Sequence, residues 1–296
     1  MKKNTMITKK SLIKTDFAVF ILSFGRPDRV YTYDTLKRLG FSGKIYIICS
    51  DDDANLSEYK ERFGDKVIVF SKSEYDNRFD IGDNFKQRNS VVYARNASFD
   101  IAEKLGIKYF LELDDDYTSF AFRFDGDLNY KHRIMRNSIN DVIENVLLYL
   151  DSAEQITCLA FAQGGDYMGG QYGTNAECVK TKRKVMNTFF MATDRIIRFD
   201  GRINEDVNAY LHLGKVGRVV FQTNQVCIQQ VQTQANSGGL TDIYLELGTY
   251  VKSFYSCMMF PSCVKVIAMG NKHMRLHHSI RWNNAAVKIV REEHRK

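Results

Sequence analysis

The sequence predicts an α/β fold in which helices cover a mainly parallel sheet. In the first half of the chain, short apolar runs alternate with segments whose apolar residues recur at helical spacing, which is the pattern of βαβ units. The run 17–23 is almost continuously apolar, as expected of a strand that is covered on both faces. Two later runs each end in three aspartates, at 51–53 and 114–116. Open α/β sheets bind their ligands at the carboxyl ends of strands, so these acids indicate where a site is expected.

The elements of the first 150 residues follow from the same periodicities. Strands are predicted at 17–23, 44–49, 66–70 and 109–114, and helices at 28–39, 82–105 and 137–150. Gly40 and Gly106 come directly after two of these helices, where glycine is suited to end a helix.

The second half is more mixed. Strands are predicted at 156–162, 188–192, 218–223 and 263–268. The glycine-rich segment 163–173 lacks the strand–G-x-G-x-x-G–helix context of a dinucleotide fold. We expect this segment to form a mobile loop, on which Tyr167 and Tyr172 could stack against a sugar or base. The basic segment 180–184 could follow a phosphate backbone or be a solvated loop. Without a repeat or a proline-rich linker, one domain is expected over 1–296.

Composition limits the classes of protein that the chain can belong to. A net charge of +7 and a pI of about 8.9 favour a polyanionic partner or an acidic nucleotide substrate, although a merely basic soluble protein is the alternative. The 6 cysteines show no C-x-x-C spacing, so neither a zinc site nor a disulfide framework is expected. No signal peptide and no apolar run long enough to span a membrane is found, so a cytoplasmic protein without a membrane or obligate protein partner is expected.

The acidic triplet that follows the run 109–113 is the strongest candidate site. Three adjacent carboxylates cannot stay unpaired in a dry interior, so Asp114, Asp115 and Asp116 are expected at the carboxyl end of their strand. Carboxylates there are suited to hold Mg²⁺ or Mn²⁺, which in turn can bind a diphosphate. Because neighbouring strand residues alternate in direction, Asp115 is expected to point away or to anchor the turn. A solvated acidic turn is the alternative.

Several motifs in order resemble a known family. The strand that ends near Arg26, the acidic triplet, the glycine-rich segment and the acids that follow Asn204 resemble GT-A glycosyltransferases over about 17–282. More narrowly, Phe24-Gly25-Arg26-Pro27, Ala94-Arg95-Asn96 and Leu113-Asp114-Asp115-Asp116-Tyr117 resemble the TET/JBP-associated glycosyltransferases, which are mostly phage-encoded and associated with hypermodified DNA.

The resemblance implies a fold and an activity. It implies a Rossmann-like nucleotide-sugar-binding half with a mixed sheet (15–135), continuous with an acceptor-binding half (136–296). The implied reaction moves a sugar from a nucleotide sugar, expected to be UDP-linked, to a hydroxymethylated or otherwise modified pyrimidine in DNA, such as 5-hydroxymethylcytosine. The implied cofactor is Mn²⁺ or Mg²⁺, which would neutralise the charge that develops on the leaving diphosphate.

The resemblance also implies metal ligands and donor contacts. Asp116 would be the principal metal ligand, and Asp114 would contact the metal or the donor ribose. In the alternating segment 273–281, His277 shares its polar face with Arg275 and Ser279, and it is the expected third ligand in place of His278.

The donor contacts are expected from the loops after the first two strands and from one helix. Ser23 and Arg26 follow the first strand, and Asp51 follows the second, where it could bind the nucleoside or belong to a solvated turn. Arg95 matches an arginine that contacts the diphosphate in similar enzymes, although an ordinary surface arginine is the alternative.

The segment around Asn204-Glu205-Asp206 resembles the x-E-D motif of the GT-A fold. There Asp206, with Glu205 as substitute, would deprotonate the acceptor hydroxyl. A helix-capping role at the positive end of the helix dipole is the alternative. An inverting mechanism needs such a base and a retaining one does not, and the sequence leaves both open.

Three other functions stay open at this point. The same motifs could serve transfer to a protein or polysaccharide hydroxyl. A nucleotidyltransferase would be expected to carry a glycine- and lysine-rich triphosphate loop, for which Phe24-Gly25-Arg26-Pro27 is a poor substitute. A non-catalytic nucleic-acid-binding module would need no metal.

Overall fold

The computed structural model describes residues 11–164, 172, 179–182, 185, 188–231, 250–270 and 274–285. Most of the glycine-rich segment, including Tyr167, and residues Arg183 and Lys184 of the basic segment therefore lie outside the described residues. Tyr172 is described and its side chain is exposed. No helix in the described part of the chain is long and apolar enough to cross a membrane.

Twelve strands and eight α-helices are formed by the described residues. The strands are β1 (Phe17–Leu22), β2 (Lys44–Ser50), β3 (Val67–Phe70), β4 (Tyr109–Asp114), β5 (Tyr117–Phe124), β6 (Tyr130–Ile134), β7 (Ile156–Gln163), β8 (Val179–Lys180), β9 (Thr188–Ala192), β10 (Val219–Gln230), β11 (Val264–Met269) and β12 (Arg275–Ile280). The helices are α1 (Leu12–Thr15), α2 (Tyr31–Arg38), α3 (Leu56–Phe63), α4 (Val92–Lys104), α5 (Ile139–Ser152), α6 (Glu205–Lys215), α7 (Tyr250–Met259) and α8 (Trp282–Ala285).

Ten of the strands form one mixed sheet. Its order is β3-β2-β1-β4-β9-β7-β10-β5-β6, with β8 paired to β10. Strands β1, β2, β3 and β4 are parallel to one another, whereas β9 is antiparallel to both of its neighbours and β5 is antiparallel to β10. Strands β11 and β12 form a separate antiparallel hairpin. The predicted α/β fold with a mixed sheet is confirmed.

The apolar core lies on both faces of the sheet. In β1, Phe17, Val19 and Ile21 belong to the cluster on one face, and Ala18, Phe20 and Leu22 belong to the cluster on the other. Helices α2, α3 and α5 contribute to the first cluster and α4 and α6 to the second. This two-sided burial explains why the run is continuously apolar instead of alternating.

Most predicted elements are found within about three residues of their expected bounds. Two errors stand out in the strands: β10 extends to Gln230, well beyond the predicted end at 223, and β5 and β6 were not predicted. In β5 buried, partly buried and exposed residues follow one another without a regular alternation. In β6 the side chains from Lys131 to Ile134 are exposed. Neither strand therefore carries the period-two pattern on which sequence-based assignment depends.

The predicted helix 82–105 begins later than expected, at Val92. The preceding residues are held in an irregular path by Arg202, whose guanidinium donates to Asp83 Oδ2 at 2.7 Å and to the carbonyl of Gln87 at 2.6 Å. Arg202 is almost completely buried, so this tertiary anchor replaces the hydrogen bonds that a helix would have supplied.

The topology brings several loops to one edge of the sheet. Strands β1, β2 and β4 are parallel neighbours, and Leu22 at the end of β1 lies beside Asp114 at the end of β4. Strand β5 starts directly after the acidic triplet, and its first residue, Tyr117, pairs with Gln230 at the end of β10. The carboxyl ends of β1, β2, β4 and β10 therefore border the same region.

Candidate active site

The acidic turn between β4 and β5 is fixed by helix α2. Thr32, whose side chain is buried, donates its hydroxyl to the carbonyl of Asp114 at 2.6 Å and accepts the amide of Tyr117 at 2.9 Å. Its own amide donates to the carbonyl of Asp115 at 3.1 Å. Three bonds from one residue therefore set the conformation of the turn. No sequence pattern indicated this role, since Thr32 occupies an ordinary buried position of the helix.

Asp115 anchors the turn to the loop that follows β1. Its side chain is fully buried, and Oδ2 accepts hydrogen bonds from Ser23 Oγ at 2.6 Å and from Arg26 Nε at 2.8 Å. Ser23 also bonds the hydroxyl of Tyr59 at 2.6 Å. Ser23 and Arg26, the predicted donor contacts, are thus engaged with Asp115, and their contact with a donor stays a prediction.

A buried arginine joins three carboxylates across two elements. Arg95 on α4 donates to Glu112 Oε1 at 2.6 Å, to Glu205 Oε1 at 3.0 Å and more distantly to Asp114 Oδ1 at 3.5 Å. Its guanidinium also lies 4.9 Å from the ring centre of Phe189. Because only 1% of Arg95 is exposed, the alternative of an ordinary surface arginine is wrong.

Glu112 is the partner that sequence reasoning missed. It lies in the middle of β4 and is fully buried, and a buried charge needs a partner of opposite sign. The sequence pattern that could have indicated Glu112 is a single acidic residue inside an otherwise apolar strand. The sequence could not name Arg95 as the partner, because the two residues lie on different elements.

Arg95 also connects the acidic turn to the start of α6. Asn204 precedes this helix in a left-handed conformation, with φ of 57°, and Glu205 and Asp206 form its first turn, as predicted. Both carboxylates are largely buried. Glu205 is bound by Arg95, whereas no hydrogen bond to the Asp206 side chain is assigned within the described residues. The structure therefore brings Glu205 to the predicted metal-binding turn, and the catalytic role of Asp206 or Glu205 stays a prediction.

The carboxylates of this region are difficult to ionise together. Burial raises the pKa of Asp114 to about 8, with the charges of Asp116 and Asp115 adding to the effect and Arg95 opposing it. Burial likewise raises the pKa of Asp116 to about 6, and the charge of Asp115 contributes. Burial also raises the pKa values of Glu112 and Glu205 despite the attraction of Arg95. The site thus has more carboxyl groups than its two arginines can balance when ionised, and an added cation would favour the ionised forms.

Two of the aspartates that follow β2 are hydrogen-bonded to neighbouring loops. Asp51 is exposed and accepts Ser71 Oγ at 2.5 Å and the amide of Lys72 at 3.3 Å. Asp53, which the sequence did not single out, is buried and accepts the amide of Gly25 at 2.7 Å. Asp53 therefore joins the loops after β1 and β2, and the contact of Asp51 with a nucleoside stays a prediction.

His277 lies on the β11–β12 hairpin, outside the main sheet. It pairs with Ile267, and its ring stacks on that of His278 at 4.5 Å between centroids. His278 is buried and His277 is only half-buried, in agreement with the predicted faces. Within the described residues, however, no three acidic, histidine or cysteine side chains are grouped closely enough to hold a metal ion. The structure thus does not assemble Asp114, Asp116 and His277 into a three-ligand set, and that set stays a prediction.

Comparison with solved structures finds distant likenesses. One is glucosyl-3-phosphoglycerate synthase from Mycobacterium tuberculosis in complex with Mn²⁺ and UDP-glucose, at 9% identity and a TM-score of 0.48 over 90% of this chain and 86% of that chain. The same enzyme in complex with Mg²⁺ and UDP gives 9% identity and a TM-score of 0.46 over 90% and 87%. Likenesses this distant carry no information on substrate. Comparison with curated protein sequences gave no match.

Comparison with models of protein families identifies the family of this chain. The model of the TET-Associated Glycosyltransferase family matches residues 17–239, which run from β1 through β10 and include every predicted site residue except His277. The predicted resemblance and the predicted enzyme class are thereby confirmed, and the nucleotidyltransferase and the non-catalytic module are set aside. The chain belongs to the TET-associated glycosyltransferase family.

Proposed function

We propose that this glycosyltransferase is metal-dependent and moves a sugar from a nucleotide sugar, UDP-linked, to a modified pyrimidine in DNA. The observation that carries the metal dependence is the pair Asp114 and Asp116 at the carboxyl end of β4, whose pKa values are raised to about 8 and about 6. Two carboxyl groups on either side of Asp115 that are costly to ionise would be stabilised by a cation. The family match supports the sugar transfer itself.

The side chains present fit a hard divalent cation. Oδ1 of Asp116 is buried and has no hydrogen-bond partner within the described residues, and carboxylate oxygen is the ligand that Mg²⁺ and Mn²⁺ prefer. Asp114 and Asp116 would hold the ion, and His277 is the proposed third ligand. Once bound, the ion would neutralise the charge that develops on the leaving diphosphate.

Each of the other polar residues has a proposed task. Asp206 would take the proton from the acceptor hydroxyl in an inverting reaction, with Glu205 as its substitute. Arg95 keeps Asp114 and Glu205 in fixed positions through its hydrogen bonds. Ser23, Arg26 and Asp51 lie on the loops after β1 and β2 and would contact the donor.

The DNA acceptor has its own support. The family description associates these glycosyltransferases with TET proteins, and the net charge of +7 favours a polyanionic partner. A modified base within a duplex would have to be flipped out or presented in single-stranded DNA. A cytoplasmic location, in the host if the protein is phage-encoded, completes the proposal.

The metal and donor sites are tested by thermal stability with a panel of nucleotide sugars, each with and without Mn²⁺. A ligand that binds only the native state raises the melting temperature. We expect a Mn²⁺-dependent increase with one donor, lost in Asp116→Asn and kept in the control Asp127→Asn, whose carboxylate is exposed in the β5–β6 turn. An equal increase in both variants would disprove the assignment of Asp116.

The acceptor is tested by mass spectrometry of nucleosides from DNA incubated with that donor and the enzyme. We expect a sugar to be added to 5-hydroxymethylcytosine or another modified pyrimidine and not to unmodified cytosine. Donor hydrolysis without transfer to any modified DNA would favour the protein or polysaccharide acceptor instead.

A further inference from the structure

A cavity of about 470 Å³ opens beside the acidic turn, on the opposite side of β4 from β1 and β2. Its volume lies within the range of about 300–1,000 Å³ that is usual for small-molecule sites. Strands β5, β7 and β10 supply its walls, and its lining residues are Thr118, Gln163, Gly164, Ile228, Gln229 and Gln230.

The cavity lies close to the backbone of the proposed metal ligand Asp116. The amide of Val231, next to the lining residue Gln230, donates to the carbonyl of Asp116 at 3.1 Å. Thr118 is only two residues beyond Asp116. A ligand in this cavity would thus lie next to the metal-binding turn while leaving the side of β1 and β2 to the donor nucleotide. Group transfer needs this arrangement, because the attacking oxygen must approach the reacting carbon to about 3–3.5 Å.

Strand β10 is irregular where it lines the cavity. Neighbouring residues of a regular strand point to opposite faces, yet the three successive residues Ile228, Gln229 and Gln230 all line the cavity. The pairing register between β10 and β5 shifts between Gln229 and Gln230, and such bulges re-aim side chains next to active sites.

The lining that the structure describes is mainly polar, with Ile228 as its apolar residue. Gln163 donates to Gln230 Oε1 at a long distance of 3.5 Å, and Ser119 donates to Gln229 Oε1 at 2.8 Å. Each glutamine amide carries two donors and an acceptor, and no charged side chain lines the cavity in the described part of the chain. This chemistry suits a neutral ligand with a planar edge of donors and acceptors, as a nucleobase presents.

We propose that the amides of Gln163, Gln229 and Gln230 bind the pyrimidine base of the acceptor nucleotide and thereby turn its hydroxyl toward the sugar. This assignment rests on the proposed function, since it supplies the base-binding site that a DNA acceptor requires. The glutamines are positioning residues for the acceptor and do not contact the metal.

The test compares Gln163→Met and Gln230→Met with the control Gln225→Met. Methionine keeps the length and flexibility of glutamine but forms no comparable hydrogen bonds, and Gln225 is an exposed residue of the same strand β10. The KM for an oligonucleotide with 5-hydroxymethylcytosine and the rate of donor hydrolysis are measured for each protein. We expect a KM about 10-fold higher in each cavity variant, as for one lost hydrogen bond, with donor hydrolysis unchanged and the control equal to wild type.

Each outcome has one meaning. Unchanged KM in Gln163→Met and Gln230→Met, with wild-type transfer intact, overturns the base-binding site and leaves the proposed function standing. Absence of transfer by the wild type itself overturns both. Gln163→Glu and Gln230→Glu, which match glutamine in shape, replace any methionine variant that fails to fold. They should raise KM as well, because they lose the amide donors and add negative charge toward the polyanion.

Discussion

At the scale of single residues, Arg95 links the strand before the acidic turn to the start of α6. The guanidinium has essentially no access to solvent and contacts Glu112, Asp114 and Glu205. Burying these charges is costly, and their mutual attraction offsets the cost only while every partner is present. Arg95 therefore acts as a structural counter-ion that also sets the positions of two carboxylates proposed for function.

We expect Arg95→Met to lower the free energy of unfolding by about 3–5 kcal/mol, because buried carboxylates lose their partner. Adding Glu112→Gln should restore about 1–3 kcal/mol, because it removes one of the uncompensated charges. Denaturant unfolding of the two single variants and the double variant gives these values.

The matched control is Arg78→Met. Arg78 forms an ion pair with Asp100 at 2.5 Å, but about half of its side chain is exposed, so its loss should cost no more than about 1 kcal/mol. Equal losses for Arg78→Met and Arg95→Met would contradict the role given to burial.

The raised pKa of Asp114 predicts how the stability of the metal-free protein depends on pH. The native carboxyl, with a pKa of about 8, binds a proton at pH values where the unfolded one, at 3.8, has released it. The stability that this proton contributes is present at low pH and is lost as the pH rises toward 8. In EDTA, the melting temperature should fall by a few degrees more between pH 6 and pH 8.5 in wild type than in Asp114→Asn.

Adding Mn²⁺ should oppose this fall of the melting temperature with rising pH. A metal competes with the proton for the carboxylate, so the stabilisation by Mn²⁺ should grow over the same pH interval. Identical pH profiles for wild type and Asp114→Asn in EDTA would show that Asp114 is already ionised at pH 6.

At the scale of elements, the start of α6 is set by the turn before it. Gly201 has a φ of 92°, and a Cβ there would lie 2.4 Å from Nδ2 of Asn208. That amide group donates to the carbonyls of Asp200 and Ile203 at 3.1 and 3.2 Å. The glycine is therefore needed for close packing as well as for its backbone conformation, and it fixes where Glu205 begins the helix.

We expect Gly201→Ala to lower the free energy of unfolding by at least about 2 kcal/mol, because backbone strain and a clash act together. The control is Gly217→Ala, where φ is 80° but a Cβ would meet nothing within 4 Å, so only the strain of about 1–2 kcal/mol remains. Thermal unfolding measures both. Sugar transfer at a temperature where both variants are folded should fall only in Gly201→Ala, and equal effects would argue against the packing role.

At the scale of the whole molecule, one sheet joins the predicted halves 15–135 and 136–296. Strand β4 of the first half pairs with β9 of the second, and β5 pairs with β10. Without the second half, β4 would become an open edge and the β5–β6 hairpin would lose its link to the sheet. The proposed site also draws on both halves, because Arg95 and Glu205 come from different ones.

We expect a fragment of residues 15–135 to remain unfolded or to aggregate, since it exposes unpaired strand edges and half of its apolar core. The full chain should unfold in one transition that far-ultraviolet circular dichroism and tryptophan fluorescence of Trp282 report alike. A folded fragment that binds the donor, or two separated transitions, would instead support independent halves.

Local pattern determined much of this protein from the sequence alone. The continuous apolar run of β1 predicted a strand buried on both faces, and the acids after β2 and β4 correctly marked the edge of the sheet where the candidate site lies. These features could be predicted because burial and chain direction act on neighbouring residues. The motif order was sufficient to indicate the family.

Only the tertiary structure decided which polar groups meet. It paired Arg95 with Glu112 across two elements, joined Asp53 to the loop after β1, and brought Gln229 and Gln230 to the same cavity. It also added β5 and β6, whose residues lack a regular alternation. The physical reason is that a buried charge or an unpaired strand requires a partner, but the identity of that partner depends on contacts between residues far apart in the chain.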